Sequence, residues 1–304
     1  MRLFASERFD EHTPPPGHPE RPERAAMFTA CAAAFRAGGG HIVEPRLATH
    51  DELARVHTPS YLADIASRAG RATMIDEDTF TSPESHEIAC LAAGASIEAA
   101  RHAARTGEPA MALVRPPGHH AEPGKAMGFC LYNNIAIAAA ALRADGLSRI
   151  AIVDIDVHHG NGTQAAFYRD PSVLFVSTHQ FPYWPGSGAV DERGEGAGLG
   201  FTVNVPLPAG TGDVGYEMAY ATQVVPVLED FKPNAILISA GLDAHRSDPL
   251  GGMQMTTGGY RRVMEILDDV AVDVCGRRVA LITEGGYDLA ALRECLDAAI
   301  SVFR

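Results

Sequence analysis

A chain of 304 residues can bury a large hydrophobic core, and no Pro/Gly/Ser-rich linker divides it, so the sequence predicts one domain over residues 1–304. Its net charge of -13 disfavours nucleic acid as a partner. The charged N-terminus and the lack of any apolar run of about 18 residues predict a cytoplasmic protein without a membrane partner. The sequence leaves open whether the chain forms a homo-oligomer.

Short apolar runs rich in β-branched residues alternate with helical patterns along the whole chain. The predicted strands are Met1–Ala5, Ile42–Glu44, Met111–Val114, Ile150–Val153, Val173–Ser177, Phe201–Val205, Ala235–Ala240 and Val279–Thr283. The predicted helices are Ala25–Ala37, Ser60–Arg68, Glu84–Arg105, Asn133–Arg143, Gln164–Tyr168, Tyr216–Phe231, Gly259–Asp273 and a closing helix. This alternation indicates an α/β fold with a mainly parallel sheet of about eight strands and helices on both faces.

A loop rich in proline and histidine lies between Asp10 and Arg24 and contains the segment H-P-E-R-P-E-R at positions 18–24. Two interpretations remain for its polar residues. His18 and Glu20 either reach the functional site, or they belong to a proline-rich turn on the surface.

The predicted strand Met111–Val114 runs directly into the segment R-P-P-G-H-H-A-E-P-G-K-A-M-G-F-C. Its prolines and glycines restrict the loop and place His119 and His120 at the tip. Adjacent histidines are poorly placed to bind one ion together, so we expect two separate acid/base or electrostatic roles. The alternative is that both are only hydrogen-bonded within the loop.

The central segment, residues 150–163, reads I-A-I-V-D-I-D-V-H-H-G-N-G-T, an apolar strand that ends in a cluster of polar residues. Side chains alternate along a strand, so Asp154, Asp156 and His158 should project to one side. Two carboxylates and an imidazole are metal ligands or an acid/base cluster, and ligands gather at the carboxyl ends of parallel strands. A solvated turn is the alternative, but this dense motif at a strand end favours a metal site.

Two further predicted strands end in polar residues. One leads into G-L-D-A-H, which contains Asp243, and the last leads into E-G-G-Y-D, where two glycines let Tyr287 turn back. Asp156, His158 and Asp243 make a three-ligand open site, which leaves room for water and a substrate oxygen. No redox cofactor motif accompanies these residues. They favour amide hydrolysis, in which a histidine takes the proton of water and Tyr287 donates to the oxyanion.

These motifs resemble the zinc-dependent histone deacetylases and their bacterial relatives, the acetylpolyamine amidohydrolases and acetoin-utilisation proteins. The matching segments follow the family order and span nearly the whole chain: H-P-E-R-P-E-R (18–24), R-P-P-G-H-H-A (115–121), G-F-C (128–130), D-I-D-V-H-H-G-N-G-T (154–163), S-T-H-Q-F-P-Y-W-P-G-S-G (177–188), A-G-L-D-A-H (240–245) and E-G-G-Y (284–287). The resemblance implies an arginase-like, three-layer α/β/α fold around an eight-stranded parallel sheet. The two-metal D-x-H-x-D pattern of true arginases is missing, so ureohydrolysis is disfavoured.

The same resemblance implies roles for the site residues. The ion on Asp156, His158 and Asp243 would be zinc, although ligand sets of this type also hold ferrous iron. His120 would be the general base and acid, with His119 as its partner.

The resemblance further implies that Asp154 orients His119. The match is closest to the class II branch, because Asn161 stands where class I members carry an aspartate. An amide at this position does not stabilise an imidazolium as a carboxylate does. The effect of position 161 on the pKa of the base therefore differs from that in class I members.

A tunnel for the acyl-lysine side chain is also implied, with Gly128, Phe129 and Trp184 at its walls. The family also has a structural potassium site. By resemblance, its ligands here would be oxygens around Asp154, Asp156, His158, Ser177 and Thr178.

The implied substrate is an acylated lysine in a protein or peptide, or a small acylated amine. Polyamine-specialised eukaryotic relatives carry a glutamate at the position of Leu250, whereas lysine deacetylases carry leucine there, so Leu250 favours acyl-lysine. An acetylpolyamine amidohydrolase is the second hypothesis. An inactive module that binds acyl-lysine is the third, and it is disfavoured because every catalytic position, Tyr287 included, is intact.

Overall fold

The computed structural model describes all 304 residues, and its central feature is an eight-stranded sheet whose neighbouring strands are all parallel. In chain order the strands are β1 (Arg2–Ala5), β2 (His41–Val43), β3 (Thr73–Met74), β4 (Phe80–Thr81), β5 (Ala110–Leu113), β6 (Ile150–Asp154), β7 (Val173–Gln180), β8 (Thr202–Leu207), β9 (Ala235–Ala240) and β10 (Val279–Thr283). The order across the sheet is β2-β1-β5-β10-β9-β6-β7-β8. The short strands β3 and β4 form a separate antiparallel pair.

All eight predicted strands belong to this sheet, so the predicted α/β fold is confirmed. Strands β9 and β10 have the predicted bounds, because a strand covered on both faces is apolar along most of its length. Strand β7 continues to Gln180 rather than Ser177, since its polar end still pairs with β8, where Gln180 lies opposite Leu207. The pair β3–β4 is absent from the prediction, because two-residue strands carry no periodic signal.

Ten α-helices accompany the strands: α1 (Glu23–Ala37), α2 (His50–Leu53), α3 (Pro59–Ser67), α4 (Ser85–Thr106), α5 (Asn134–Ala144), α6 (Asn161–Phe167), α7 (Asp213–Ala219), α8 (Val225–Phe231), α9 (Thr257–Cys275) and α10 (Leu289–Phe303). Helix α6 begins earlier than predicted and includes Asn161. The single helix predicted at Tyr216–Phe231 is divided into α7 and α8 by a π-helical turn, next to Pro226, which has no N–H to donate. None of the helices combines the length and apolar character needed to cross a bilayer.

Alternate residues of the strands pack on opposite faces of the sheet. Val153 and Ile236 point toward α1, α9 and α10 in one buried cluster. Their neighbours Ile152 and Leu237 point toward α4 and α5 in the other. The molecule is therefore a three-layer α/β/α structure, in which the sheet is covered on both sides and only the loops at its edges are free to build a site.

Candidate metal centre and active site

Four loops that carry predicted site residues lie together at one edge of the sheet. They follow β5, β10, β9 and β6, which are consecutive neighbours at its centre. Because these strands are parallel, their carboxyl ends meet at the same edge. The loop after β5 carries the two adjacent histidines, the loop after β6 the D-x-D-x-H segment, and the other two carry Asp243 and Tyr287.

Asp156, His158 and Asp243 form one compact donor group, whose ligand atoms all lie within 4.8 Å of one another. The Nδ1 atom of His158 is 3.1 Å from Asp156 Oδ1 and 3.2 Å from Asp243 Oδ2. Both carboxylates are fully buried, and the His158 side chain is 12% exposed. The structure thus brings together the three residues that the sequence predicts as metal ligands.

The turn after β6 is held by hydrogen bonds to the carboxylates of the site. The backbone N–H of Asp156 donates to Asp154 Oδ1 over 3.1 Å, and that of His158 donates to Asp156 Oδ1 over 2.9 Å. The N–H of Val157 donates to Asp243 Oδ1 over 2.8 Å. Strand β6 ends at Asp154, yet the alternation continues beyond it, because Ile155 and Val157 still pack into the core. The polar side chains therefore share the opposite side, as predicted.

The donor group fits a divalent cation. Asp243 Oδ2 is buried and accepts no well-oriented hydrogen bond, and burial together with the nearby Asp156 carboxylate raises the pKa of Asp243 to about 7. The glycines Gly241 and Gly285 leave space beside these oxygens, since a Cβ at either position would collide with a carboxylate. Two carboxylates and one imidazole are ligands that zinc and ferrous iron accept. A bound cation would offset the crowded negative charge.

The two adjacent histidines lie in different electrostatic environments, with ring centroids 3.8 Å apart. His119 Nδ1 lies 2.9 Å from Asp154 Oδ2, and His120 Nδ1 lies 2.8 Å from Asn161 Oδ1. Burial opposes charge on His119, but the carboxylates of Asp154 and Asp156 outweigh it and raise the pKa of His119 to about 10. Burial, with His119 adjacent, lowers the pKa of His120 well below its ordinary value. These opposite pKa shifts indicate that His119 is the charged partner and that His120 is the neutral proton acceptor.

Tyr287 lies on the loop after β10 and faces the same site. Its backbone N–H donates to Asp248 Oδ2 over 2.6 Å, and its ring stands edge-on to Phe129 at 5.7 Å between centroids. The guanidinium of Arg24 lies 4.9 Å from the ring centroid. Burial raises the pKa of Tyr287 well above its ordinary value, so the phenol stays protonated and remains a hydrogen-bond donor.

Aromatic residues from two loops stand at the mouth of the site. The ring of Trp184 lies 4.6 Å from that of His120, between centroids, and a Cβ at Gly128 would collide with both. Phe129 follows directly and packs against Tyr287. Tyr183 precedes Trp184 and is one of the aromatic residues in this segment that either line a pocket or cover the core. Its ring stacks on that of His158 at 5.6 Å.

Of the residues predicted around a structural potassium ion, Asp154, Ser177 and Thr178 lie on the paired strands β6 and β7, whereas Asp156 and His158 belong to the donor group itself. Asp154 at the end of β6 is opposite Ser177 in β7. The hydroxyl of Thr178 donates to the carbonyl oxygen of Asp154 over 3.4 Å, while the hydroxyl of Ser177 contacts His179 Nδ1 at 2.9 Å. The structure brings these residues together with Asp156, and the ion itself stays a prediction.

Glu284 is a further site residue that the sequence reasoning missed. Its Oε2 accepts the backbone N–H of Gly118 over 2.6 Å and that of His119 over 3.1 Å, so it holds the histidine loop from the end of the neighbouring strand. The available signal was its position as the first residue of E-G-G-Y.

The H-P-E-R-P-E-R segment is not a surface turn, because Glu20 is fully buried beneath the histidine loop. Arg115, at the start of that loop, donates to both carboxylate oxygens of Glu20, over 2.7 and 2.8 Å. Arg24 donates to Glu20 over 3.0 Å and to the Gly286 carbonyl over 2.7 Å. His18 lies edge-on to Phe129 at 4.7 Å between centroids, near the mouth.

We expect Glu20→Gln to lower the free energy of unfolding by roughly 3 to 5 kcal/mol at pH 7, because it leaves two buried guanidinium groups without their counter-charge. Burial opposes ionisation of Glu20, but Arg115 and Arg24 outweigh it and lower its pKa to about 2 from an ordinary 4.5. A depressed folded-state pKa gives stability that is present above the unfolded-state pKa and is lost as the pH falls toward the folded-state value. The difference in the free energy of unfolding between wild type and variant should therefore decrease as the pH falls from 4.5 toward 2. Urea unfolding at each pH would measure it.

Glu195→Gln is the matched control, since it breaks the exposed pair between Glu195 and Arg169. A surface pair of this kind contributes about 0 to 1 kcal/mol. If the free energy of unfolding fell by the same amount in the two variants at pH 7, the structural role of Glu20 would be contradicted.

Comparison with known proteins identifies the family of this chain. The family model described as a histone deacetylase domain matches residues 18–303. A probable deacetylase of Archaeoglobus fulgidus is 42% identical over 287 residues, which cover 93% of this chain and 80% of the relative. A histone deacetylase-like amidohydrolase of Pseudomonas aeruginosa is 43% identical over 256 residues, covering 82% of this chain and 66% of the relative.

A solved structure agrees with this assignment. The crystal structure of the HDA15 HD domain has a TM-score of 0.94 and 38% sequence identity, and the match covers 99% of this chain and 88% of that chain. The aligned fold is the eight-stranded α/β/α arrangement described above. The chain belongs to the histone deacetylase family and is a hydrolase that acts on amide bonds.

Proposed function

We propose that this hydrolase is a zinc-dependent amidohydrolase that removes acetyl or other acyl groups from the ε-amino group of lysine. The observation that carries the proposal is the donor group of Asp156, His158 and Asp243, with ligand atoms within 4.8 Å, beside a histidine pair whose pKa values diverge. Ferrous iron is the alternative ion for these ligands. Residues 1–304 act in this proposal as one catalytic domain, because a single sheet connects the first and last strands.

The chain's own residues would handle the protons of the reaction. A divalent ion bound at the donor group supplies positive charge that polarises the amide carbonyl and acidifies water. His120 accepts the proton of water at Nε2 and returns it to the leaving amine, since its Nδ1 is engaged by Asn161. His119, paired with Asp154, keeps its proton. Tyr287 donates a hydrogen bond to the carbonyl oxygen as negative charge develops there.

The proposed structural potassium ion would lie beneath this site. Asp154, Asp156, His158, Ser177 and Thr178 are its proposed neighbours, and Thr178 already contacts the carbonyl oxygen of Asp154. Oxygen donors of this kind suit a hard cation. Such an ion would support the turn after β6 without taking part in the chemistry.

The direct test is a comparison of turnover across acetyl-lysine peptides, longer acyl-lysine peptides and acylated polyamines. The protein is stripped of metal and loaded with zinc or with ferrous iron, so that the ion is known in each assay. Release of the acyl group from lysine peptides in proportion to bound metal supports the proposal. Tight binding of the peptides without any release would support the inactive acyl-lysine binding module instead.

Substrate choice is expected to depend on Leu250 at the mouth of the site. The Leu250 backbone is fixed, because Tyr183 Oη donates to its carbonyl over 3.0 Å and its own N–H donates to Asp248 Oδ1 over 2.9 Å. Its apolar side chain would pack against the methylene stem of lysine and leave a secondary ammonium without a partner, at a cost of roughly a few kcal/mol. The net charge of -13 attracts polyamines, but that field is screened within about 10 Å at ordinary salt.

We therefore expect wild-type protein to show a higher kcat/KM for an acetyl-lysine peptide than for acetylspermidine, and Leu250→Glu to narrow or reverse that ratio. Leu250→Gln is the matched control, since it adds polarity at the same position without charge. A wild-type preference for acetylspermidine at physiological salt would replace acyl-lysine with acylpolyamine as the proposed substrate.

A further inference from the structure

The tautomer of His120 depends on its hydrogen bond to Asn161. A neutral imidazole carries one N–H, so Nε2 is free to accept a proton only when Nδ1 holds the hydrogen. His120 Nδ1 lies 2.8 Å from Asn161 Oδ1, an acceptor that requires the hydrogen on Nδ1. If the amide were rotated, its NH₂ group would donate to Nδ1 and place the hydrogen on Nε2. The orientation of the Asn161 amide therefore decides whether His120 is able to act as a base.

The surroundings of the Asn161 amide favour one orientation, because its Nδ2 atom faces only hydrogen-bond acceptors. Glu122 Oε1 lies 3.0 Å away, Met127 Sδ 3.3 Å and the carbonyl oxygen of His120 3.5 Å. A rotated amide would place its oxygen against all three. Glu122 is the closest of these acceptors and the only charged one, and a hydrogen bond to a charged group is roughly twice as strong as a neutral one.

Glu122 is itself held in position by its backbone. Its N–H donates to the carbonyl oxygen of Lys125 over 2.9 Å, and its own carbonyl oxygen lies 3.2 Å from His57 Nδ1. These contacts fix the start of the side chain, which accepts from Asn161 Nδ2, whereas the His120 ring contacts Asn161 Oδ1. The three residues thus form a chain from the Glu122 carboxylate through the Asn161 amide to the His120 ring. Through the Asn161 amide, the Glu122 carboxylate orients and polarises the His120 ring. A carboxylate at position 161 would do this directly.

We propose that Glu122 is a positioning residue for amide hydrolysis, which holds the Asn161 amide so that its oxygen accepts the Nδ1–H of His120. The inference rests on the proposed function, in which His120 is the base. A neutral glutamine at position 122 offers both a donor and an acceptor to Asn161, so it removes the preference for one amide orientation.

The test is a comparison of four zinc-loaded proteins: wild type, Glu122→Gln, Asn161→Asp and the double variant. We expect Glu122→Gln to lower kcat about tenfold, a part of the 10² to 10⁴ that a positioned base contributes, with KM and zinc content nearly unchanged. In the Asn161→Asp background we expect the same substitution to leave kcat unchanged or to raise it. A carboxylate at position 161 accepts the Nδ1–H without help, and it is repelled by the charge of Glu122. Lys125→Gln, an exposed change on the same loop, should not alter turnover.

Imidazole ¹⁵N NMR supplies a readout that does not depend on turnover, with the His120 signal identified by its loss in His120→Gln. We expect the Nδ1–H tautomer in wild type and a mixture of tautomers in Glu122→Gln. An equal loss of kcat in both backgrounds, or a single Nδ1–H tautomer in Glu122→Gln, would overturn the positioning role. A wild-type protein with no turnover of any acylated amine would refute the proposed function instead, while the tautomer measurement would still decide the role of Glu122.

Discussion

Asp243→Ala is expected to abolish nearly all bound metal and nearly all turnover, and Asp156→Ala and His158→Ala should do the same. An open site with three protein ligands has none to spare, so the loss of one leaves two donors and a large drop in affinity. Asp243 Oδ2 is also buried without a well-oriented hydrogen-bond donor, although His158 Nδ1 lies 3.2 Å away, so a cation at this oxygen would offset its charge. Metal content by plasma mass spectrometry and turnover of an acetyl-lysine peptide would be measured on the same samples.

Asp297→Ala is a suitable control, because Asp297 carries an exposed carboxylate that pairs with Arg293 far from the donor group. It should retain the metal and the turnover of wild type. Near-stoichiometric zinc together with good turnover in any of the three ligand variants would show that the assignment of that ligand is wrong.

Tyr287→Phe is expected to keep the metal and to lower kcat by roughly 10² to 10³, the usual loss when one donor to a developing oxyanion is removed. The ring should stay in place, since its contacts with Phe129 and Arg24 do not involve the hydroxyl. Only the hydrogen bond to the carbonyl oxygen is lost. Steady-state kinetics at fixed zinc content would measure the effect, with KM expected to change less than kcat.

Tyr61→Phe is the matched control for this substitution. Tyr61 is also a buried tyrosine, but its hydroxyl donates to the backbone carbonyl of Leu131, away from the donor group. Removal of the Tyr61 hydroxyl should lower the free energy of unfolding and leave kcat unchanged. A fall of less than tenfold in Tyr287→Phe would exclude Tyr287 as the oxyanion donor.

The strands of the sheet and the individual residues of the candidate metal donor group could be predicted from the sequence, because each lies in or just after a local apolar pattern. A strand buried on both faces is a largely apolar run, with only Ser239 in β9 and Thr283 in β10 as polar members, which is why both strands have the predicted bounds. The polar residues Asp156, His158 and Asp243 follow directly after such runs, and parallel strands bring their ends to one edge.

Contacts between distant segments were decided only by the tertiary structure. The neighbours of Glu20 are Arg115 and Arg24, and nothing in a proline-rich segment indicates that its carboxylate will be buried between two guanidinium groups. Likewise, Glu122 reaches Asn161 only because the loop after β5 lies against the first turn of α6.

The physical reason for this division is the range of each interaction. Periodicity and turn chemistry act over a few neighbouring residues, so the sequence by itself determined the eight strands of the central sheet, most helices and the order of the motif loops. Hydrogen bonds and ion pairs between loops depend on which strands become neighbours, and the arrangement β5-β10-β9-β6 is a property of the packed sheet. The resemblance already implied that Asp154 orients His119, but the contacts of Glu284 with the histidine loop and of Glu122 with Asn161 were decided by the tertiary structure alone.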